Sequence, residues 1–302
     1  MASTVSTRFL IISDTHNFEF DNNNLSRPFR EPVPDADVVL HCGDLTNEGG
    51  PEYYKKCLDM FRALNAELKL VIPGNHDLDL DKKWWTTHLP RNAAGAGHDQ
   101  HANSLGIMTG PIAAEAGITY LEEGTNTFTL RNGARFTIYT SPYTPEFCDW
   151  GFAYNHSEDR FNPEDQVAKG YTSIATHPIP TGVDIVMTHG PPHNILDACP
   201  GGNVGCPSLL NAVGRVRPLL HCFGHIHEGH GARLVTWNEK NGVQDETSVE
   251  VNYPSANDVH VGRGKQTLMV NAAIQVNPPD WKSQMEPNNA PWLVDLQLPR
   301  AG

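Results

Sequence analysis

A chain of 302 residues with a formal net charge of −13 is poorly suited to gripping a long polyanion, because nucleic-acid affinity comes largely from Lys and Arg neutralising phosphates. With 39% hydrophobic and 19% charged residues, 26 Gly and 23 Pro, the composition excludes a disordered chain and points to a turn-rich globular protein, read as one catalytic domain over 1–302. Six Cys without a CxxC pair, no apolar stretch of about eighteen residues and no charged-then-apolar start lead to the expectation of a cytoplasmic protein, off the membrane, with reduced thiols, Cys199 and Cys206 included.

Residues 9–13 form a short apolar run, as expected of a buried strand, that ends at Asp14-Thr15-His16. A second run, 38–42, ends at Gly43-Asp44. Residues 51–66 then place Tyr54, Leu58, Phe61 and Leu64 at helical spacing, and a third run, 68–72, leads into Pro73-Gly74-Asn75-His76-Asp77. The polar stretch 81–101 reads as a loop insertion and 102–116 as a helix. Strands are expected at 118–121, 127–130 and 135–140, the last two joined as a hairpin through Arg131-Asn132-Gly133. Residues 185–187 run into Thr188-His189-Gly190, 208–216 reads as a helix, and 219–223 runs into Gly224-His225-Ile226-His227. Further strands are expected at 233–237, 268–271 and 292–296, with polar 238–266 as a second insertion. Strand, helix, strand units mixed with hairpins predict an α/β fold of four layers, an αββα sandwich of two mixed sheets with helices outside. Loops after parallel strands open at the carboxyl edge of a sheet, where such folds place their ligands.

Five of those loops carry metal-ligand residue types, and glycines at 43, 74, 190 and 224 allow close backbone approach beside them. The donors are carboxylates, an amide and imidazoles, with no thiolate, which suits a pair of divalent metals bound side by side. Any one of these turns alone is an ordinary strand end. His225 and His227, at i and i+2 in extended chain, would project to one face. An acidic protein can still present a positive cleft if two cations sit beside Asp14 and Asp44.

The ordered set Asp-x-His, Gly-Asp, Gly-Asn-His-Asp, an isolated His and Gly-His-x-His resembles the calcineurin-like metallophosphoesterase superfamily. Ser141-Pro142-Tyr143-Thr144-Pro145, Trp150-Gly151-Phe152, Met187-Thr188-His189-Gly190-Pro191-Pro192 and Gly224 to Gly231 resemble its metallophosphoesterase-domain-containing (239-type) branch. The resemblance implies a binuclear phosphoesterase. Asp14, His16 and His227 would bind one metal, Asn75, His189 and His225 the other, and Asp44 would bridge them. A hydroxide shared by the metals would attack phosphorus in line. His76 would not bind metal but would lie beside the substrate phosphate, with Asp77 holding its ring. The metals would be Mn, Fe, Zn, Co or Ni, the N/O donor set leaving the choice to availability.

Asn17, Asn47 and His193 follow the motifs closely enough to touch a substrate, although Asn is also a common turn residue. His88, His98 and His101 read as solvated loop histidines, and Cys42 and Cys222 as small packing groups in strands. Trp84, Trp85 and the aromatics between Tyr143 and Phe152 would wall the substrate or serve packing equally well. The partner is expected to be a small phosphoester and not a nucleic-acid polymer. Few cations in the motif loops tilt the expectation from a monoester toward a small diester, such as a cyclic nucleotide. Two other readings stay open: the same metals acting on a non-phosphate metabolite by hydrolysis or elimination, and a metal-stabilised scaffold with little catalysis.

Overall fold

Alternation along the strand Thr4–Ile12 sets the layering: Phe9 and Ile11 face one apolar cluster, Leu10 and Ile12 another, and all four are buried. A strand buried on both faces must lie inside a stack of layers. In the computed structural model, which describes residues 3–21, 24–88, 98–277 and 285–302, that stack has four. One sheet runs Asn257–Asp258, Trp292–Pro299, Thr4–Ile12, Val38–His41, Leu68–Val71, Ile118–Tyr120. The other runs Val243–Val249, Gly231–Trp237, Gln266–Asn271, Leu220–Phe223, Ile185–Thr188, Arg135–Ser141, Gly124–Thr129. Both are mixed. Thr4–Ile12 pairs parallel with Val38–His41 and antiparallel with Trp292–Pro299, and Gln266–Asn271 pairs parallel with Leu220–Phe223 and antiparallel with Gly231–Trp237.

Between the sheets, Phe9, Val38, Leu40 and Leu70 pack against Phe136, Ile185, Met187, Leu220 and Leu268. Each such side chain, fully removed from water, contributes about 1.5–3 kcal/mol. The helices Pro51–Arg62, His98–Thr109 and Pro111–Glu115 cover the outer face of the first sheet, with Tyr54, Leu58, Phe61, Met108 and Ala113 on Leu10, Val39 and Val71. Helix Pro207–Val216 covers the second, with Leu209, Ala212 and Val213 on Tyr139, Val186 and Phe223. None of the described helices is long and apolar enough to cross a membrane.

Three sequence readings change. The helix expected over 102–116 is two helices, broken at Gly110 with Pro111 starting the second, since Pro has no N–H to continue the first. The insertion 81–101 holds the helix Lys82–His88 and the start of His98–Thr109, while 89–97 lies outside the described residues. The insertion 238–266 contains the strand Val243–Val249, an edge strand almost wholly exposed, so its polar sequence gives no buried alternation to read. Its Asp245 and Glu246 are charges of the kind that protect an exposed edge.

Strand direction positions the chemistry. Thr4–Ile12, Val38–His41 and Leu68–Val71 run parallel, so the loops after them emerge at one edge. Ile185–Thr188 and Leu220–Phe223 do the same in the second sheet. The Asp14 N–H donates to Gly43 O (2.9 Å), the Gly224 N–H to His189 O (2.9 Å), and the ring of His189 reaches across the sheets to Cys42 O (2.9 Å).

Candidate metal centre

At the junction of the two edges the backbone turns sharply. Asp14, His16, Asp44 and His225 have φ of 54°, 43°, 56° and 68°, left-handed values that cost energy for any residue with a Cβ and that gather where function requires them. Gly74 is needed for another reason: a methyl there would collide with the Asp44 carboxylate and backbone and with the His189 ring.

The strand ends bring together two groups of donors. Asp14, His16 and His227 form one, Asp44, His189 and His225 the other, each with ligand atoms within 4.8 Å of one another. Asn75 joins the second, its Oδ1 2.7 Å from His189 Nε2. The carboxylate of Asp44 spans the groups, with Oδ1 3.4 Å from His189 Nε2 and Oδ2 3.7 Å from His16 Nε2.

The far nitrogens of these imidazoles fix their tautomers. His16 Nδ1 faces Thr46 O (3.1 Å), His189 Nδ1 faces Cys42 O (2.9 Å) and His227 Nδ1 faces Asn277 Oδ1 (2.8 Å); all three partners are acceptors, so each Nδ1 carries the proton. The neutral rings then aim Nε2 lone pairs inward, as in histidine ligands oriented by an outer partner. His16 Nε2 and His227 Nε2 stand 3.4 Å apart, and His227 Nε2 is 3.3 Å from Asp14 Oδ1. Lone pairs facing one another at such distances repel unless a cation, a proton or a metal ion, lies between them. The donor set fits two divalent metals.

Without metal, protons take that place. Burial lowers the imidazoles of His16 to about 4 and of His225 to about 3. Burial works the same way on His189, but the charge and hydrogen bond of Asp44, with Asp14 behind, outweigh it and raise that ring to about 9. Burial likewise opposes the rise of His227, which its bond to Asp14 carries. Burial favours protonation of Asp14 and Asp44 too, yet His227 holds the first below its ordinary value and His189 holds the second well below.

Beyond the ligand candidates, Thr15 Oγ1 lies 3.0 Å from His41 Nε2, whose Nδ1 accepts from the Gly43 N–H, tying the first two motif loops together. His221 Nε2 meets Thr188 Oγ1 at 2.9 Å beside His189. Burial lowers both rings to about 3, so they are neutral props. Each interrupts an apolar strand, and that interruption is their one mark in the sequence.

His76 lies at the rim, its backbone N–H donating to Asp44 Oδ1 (2.8 Å). Asp77 does not hold the His76 ring, contrary to the sequence expectation. Its two oxygens accept from the N–H groups of Gly74, Leu45 and Thr46 and from Thr46 Oγ1, fastening two motif loops, and burial with the charge of Asp44 raises its carboxyl to about 7. The ring is held instead by Asn47 O, which accepts from Nδ1 at 2.6 Å, and by Trp150, stacked at 4.0 Å and 29°. The Asn47 side chain is exposed, so this residue acts through its carbonyl.

A cleft of about 470 Å³ opens beside Asp44, Asn75, His76, His225 and His227. Asn17 and His193 do not line it. Asn17 has its Oδ1 buried without a hydrogen-bond partner, and His193 turns Nδ1 toward Asp197 Oδ2 (3.6 Å). Trp150 is part of the wall, whereas the Trp84 ring stacks on His88 at 4.2 Å and borders an adjoining groove. Asn277, which orients His227, carries no sequence signal. All six cysteines are free, Cys199 and Cys206 among them.

Comparison with known proteins follows the same lines. The family described as calcineurin-like phosphoesterase matches residues 7–229. Metallophosphoesterase domain-containing protein 1 of Homo sapiens and of Mus musculus are each 36% identical over 234 residues, covering 74% of this chain and 62% of theirs. A UPF0046 protein of Caenorhabditis elegans is 32% identical over 74% of this chain and 52% of its own. The match therefore spans less than two thirds of the length of these relatives.

Proposed function

This chain belongs to the calcineurin-like phosphoesterase family, and from that membership and the paired donor groups we propose a binuclear metal-dependent phosphoesterase acting on a small phosphodiester, such as a cyclic nucleotide. The observation that carries the reading is Asp44, which turns one carboxylate oxygen toward each donor group. Asp14, His16 and His227 would hold one ion, Asn75, His189 and His225 the other, with Asp44 shared. Two such ions, when bound, supply Lewis-acid polarisation of the phosphoryl oxygens and a nucleophile at neutral pH.

The remaining work falls to the chain. Hydrolysis forms a bond from water oxygen to phosphorus, breaks the ester P–O bond and requires a proton at the departing oxygen. His76 is placed for that role once its ring carries a second proton, the one the attacking water gives up: Asn47 O holds Nδ1–H, Trp150 stacks on the ring, and the residue lines the cleft, so the second proton would pass from Nε2 to the departing oxygen. Among the described residues no Lys or Arg lines the cleft, while Glu146 and Glu228 do. A singly charged diester suits such walls better than a dianionic monoester. Mn, Fe, Zn, Co and Ni all suit the donors, and the substrate reaches the cleft as a small molecule, with no nucleic-acid polymer or membrane involved. The test is replacement of Asp44 or His189 by Ala, reading metal content and hydrolysis of a nitrophenyl phosphoester. Loss of both is expected, and unchanged values would reject the assignment.

A further inference from the structure

We infer that the cleft beside the candidate metal centre takes an apolar, aryl-sized substituent of its phosphodiester, a reading that deepens the proposed function and rests on it. Phe147 and Val204 are 64% and 43% exposed, large apolar side chains left in water, and both line this cleft with Pro145, Pro200 and Met285. Apolar surface exposed beside convergent polar donors is the ordinary composition of a small-molecule site.

The wall is fixed relative to the donors. Phe147 opens a turn closed by the Trp150 N–H on Phe147 O (3.3 Å), with Cys148 and Asp149 at φ of 51° and 58° as a type I′ turn requires. The next residue, Gly151, donates its N–H to Asn75 O (3.0 Å), and Trp84 Nε1–H donates to Asp149 O (2.7 Å). Val204 donates its N–H to Asp197 O (3.2 Å), and the Cys206 N–H donates to Pro191 O (3.0 Å), on the segment that carries His189. Phe147 and Val204 thus each sit on a loop bonded through backbone to a donor-bearing loop, so an organic group bound against them is held at a set distance from the phosphoryl position. Removing the faces of Phe147 and Val204 from water on binding favours an aryl or branched alkyl group over a methyl.

Calorimetric titration of the metal-loaded protein with two singly charged probes that carry no ester bond, methyl(phenyl)phosphinate and dimethylphosphinate, tests this. The phenyl probe is expected to bind about tenfold tighter or more, with a more negative heat-capacity change. Phe147→Ala should cut that ratio at least about threefold, the loss expected when one apolar face of the site is removed. Val204→Asp, at an exposed position that tolerates a carboxylate in the fold, should do the same. Val251→Ala, an exposed apolar residue outside the cleft, should leave the ratio as it is. Equal or undetectable binding of the two probes, or a ratio that both cleft variants leave unchanged, would overturn the inference. Turnover of methyl nitrophenyl phosphate separates the two readings: a protein that binds with the expected ratio but hydrolyses nothing overturns the catalytic proposal and upholds the apolar subsite.

Discussion

Stripping the metals and replacing Asp44 by Asn exposes the electrostatics of the centre directly. In the metal-free protein the raised value of His189, about 9 against an ordinary 6.5, amounts to about 3 kcal/mol of folded-state preference for the charged ring. Because the folded value is the higher one, this stability is fully present below pH 6.5 and is lost as pH rises through about 9. Asn is nearly isosteric: its carbonyl oxygen can keep the His76 N–H, and its NH₂ would meet the His16 Nε2 lone pair, 3.7 Å away in the parent. What disappears is the charge that holds His189 up, leaving burial to pull the ring toward neutrality. Denaturant unfolding at intervals from pH 6.5 to 9 should therefore show stability falling more steeply in the parent than in Asp44→Asn, by up to about 3 kcal/mol over that range, because the other buried titrating groups are common to both. Metal binding should displace the same proton, so calorimetry at pH 7.5 in buffers of different ionisation enthalpy should show release of about one proton or more in the parent. Equal pH slopes in the two proteins would refute the coupling of Asp44 to His189.

Three further outcomes follow from the geometry. His76→Ala should lower kcat about 10²–10³-fold with metal content unchanged, because the ring donates to Asn47 O and stacks on Trp150 without joining either donor group; concurrent loss of metal would make it a ligand. Asp77→Ala should cost about 2–4 kcal/mol in stability by leaving three buried N–H groups unmatched, whereas a variant that melts like the parent yet is inactive would return Asp77 to the chemistry. Asn277→Ala, freeing the Nδ1–H of His227, should weaken metal affinity about 10–100-fold as measured by competition with a chelator, and parent-like affinity would show that the tautomer is set elsewhere.

Which parts of the centre could be read from sequence depends on how far apart the cooperating residues lie. Asp14, Asp44, Asn75, His189 and His225 each follow an apolar strand within a few residues, so local periodicity announces both the strand and the ligand type at its end. The unbroken apolar run Phe9, Leu10, Ile11 and Ile12 announces a buried strand, and the structure divides it between two apolar clusters, one on each face. Asn277 lies 50 residues from His227, and nothing in either segment encodes their contact. Asp77 shows a complementary failure: adjacency to His76 suggests a partner, but successive residues in a tight loop point apart, and its oxygens turn back to the N–H groups of residues 45 and 46. The exposed edge strand Val243–Val249 escapes for want of a buried face.

The same division explains why the fold holds so many acceptors together. Left-handed backbone at Asp14, His16, Asp44 and His225 and converging lone pairs of His16, His189, His227 and Asn75 are each unfavourable alone. They persist because the apolar core between the sheets, the hydrogen bonds of Asp77 and the neutral props His41 and His221 over-determine the loop positions. Cations bound there would relieve the repulsion that the scaffold imposes. Affinity for such ions would then be largely a property of the packed sheets beneath them, and the candidate ligand side chains would express it only because the strands end where they do.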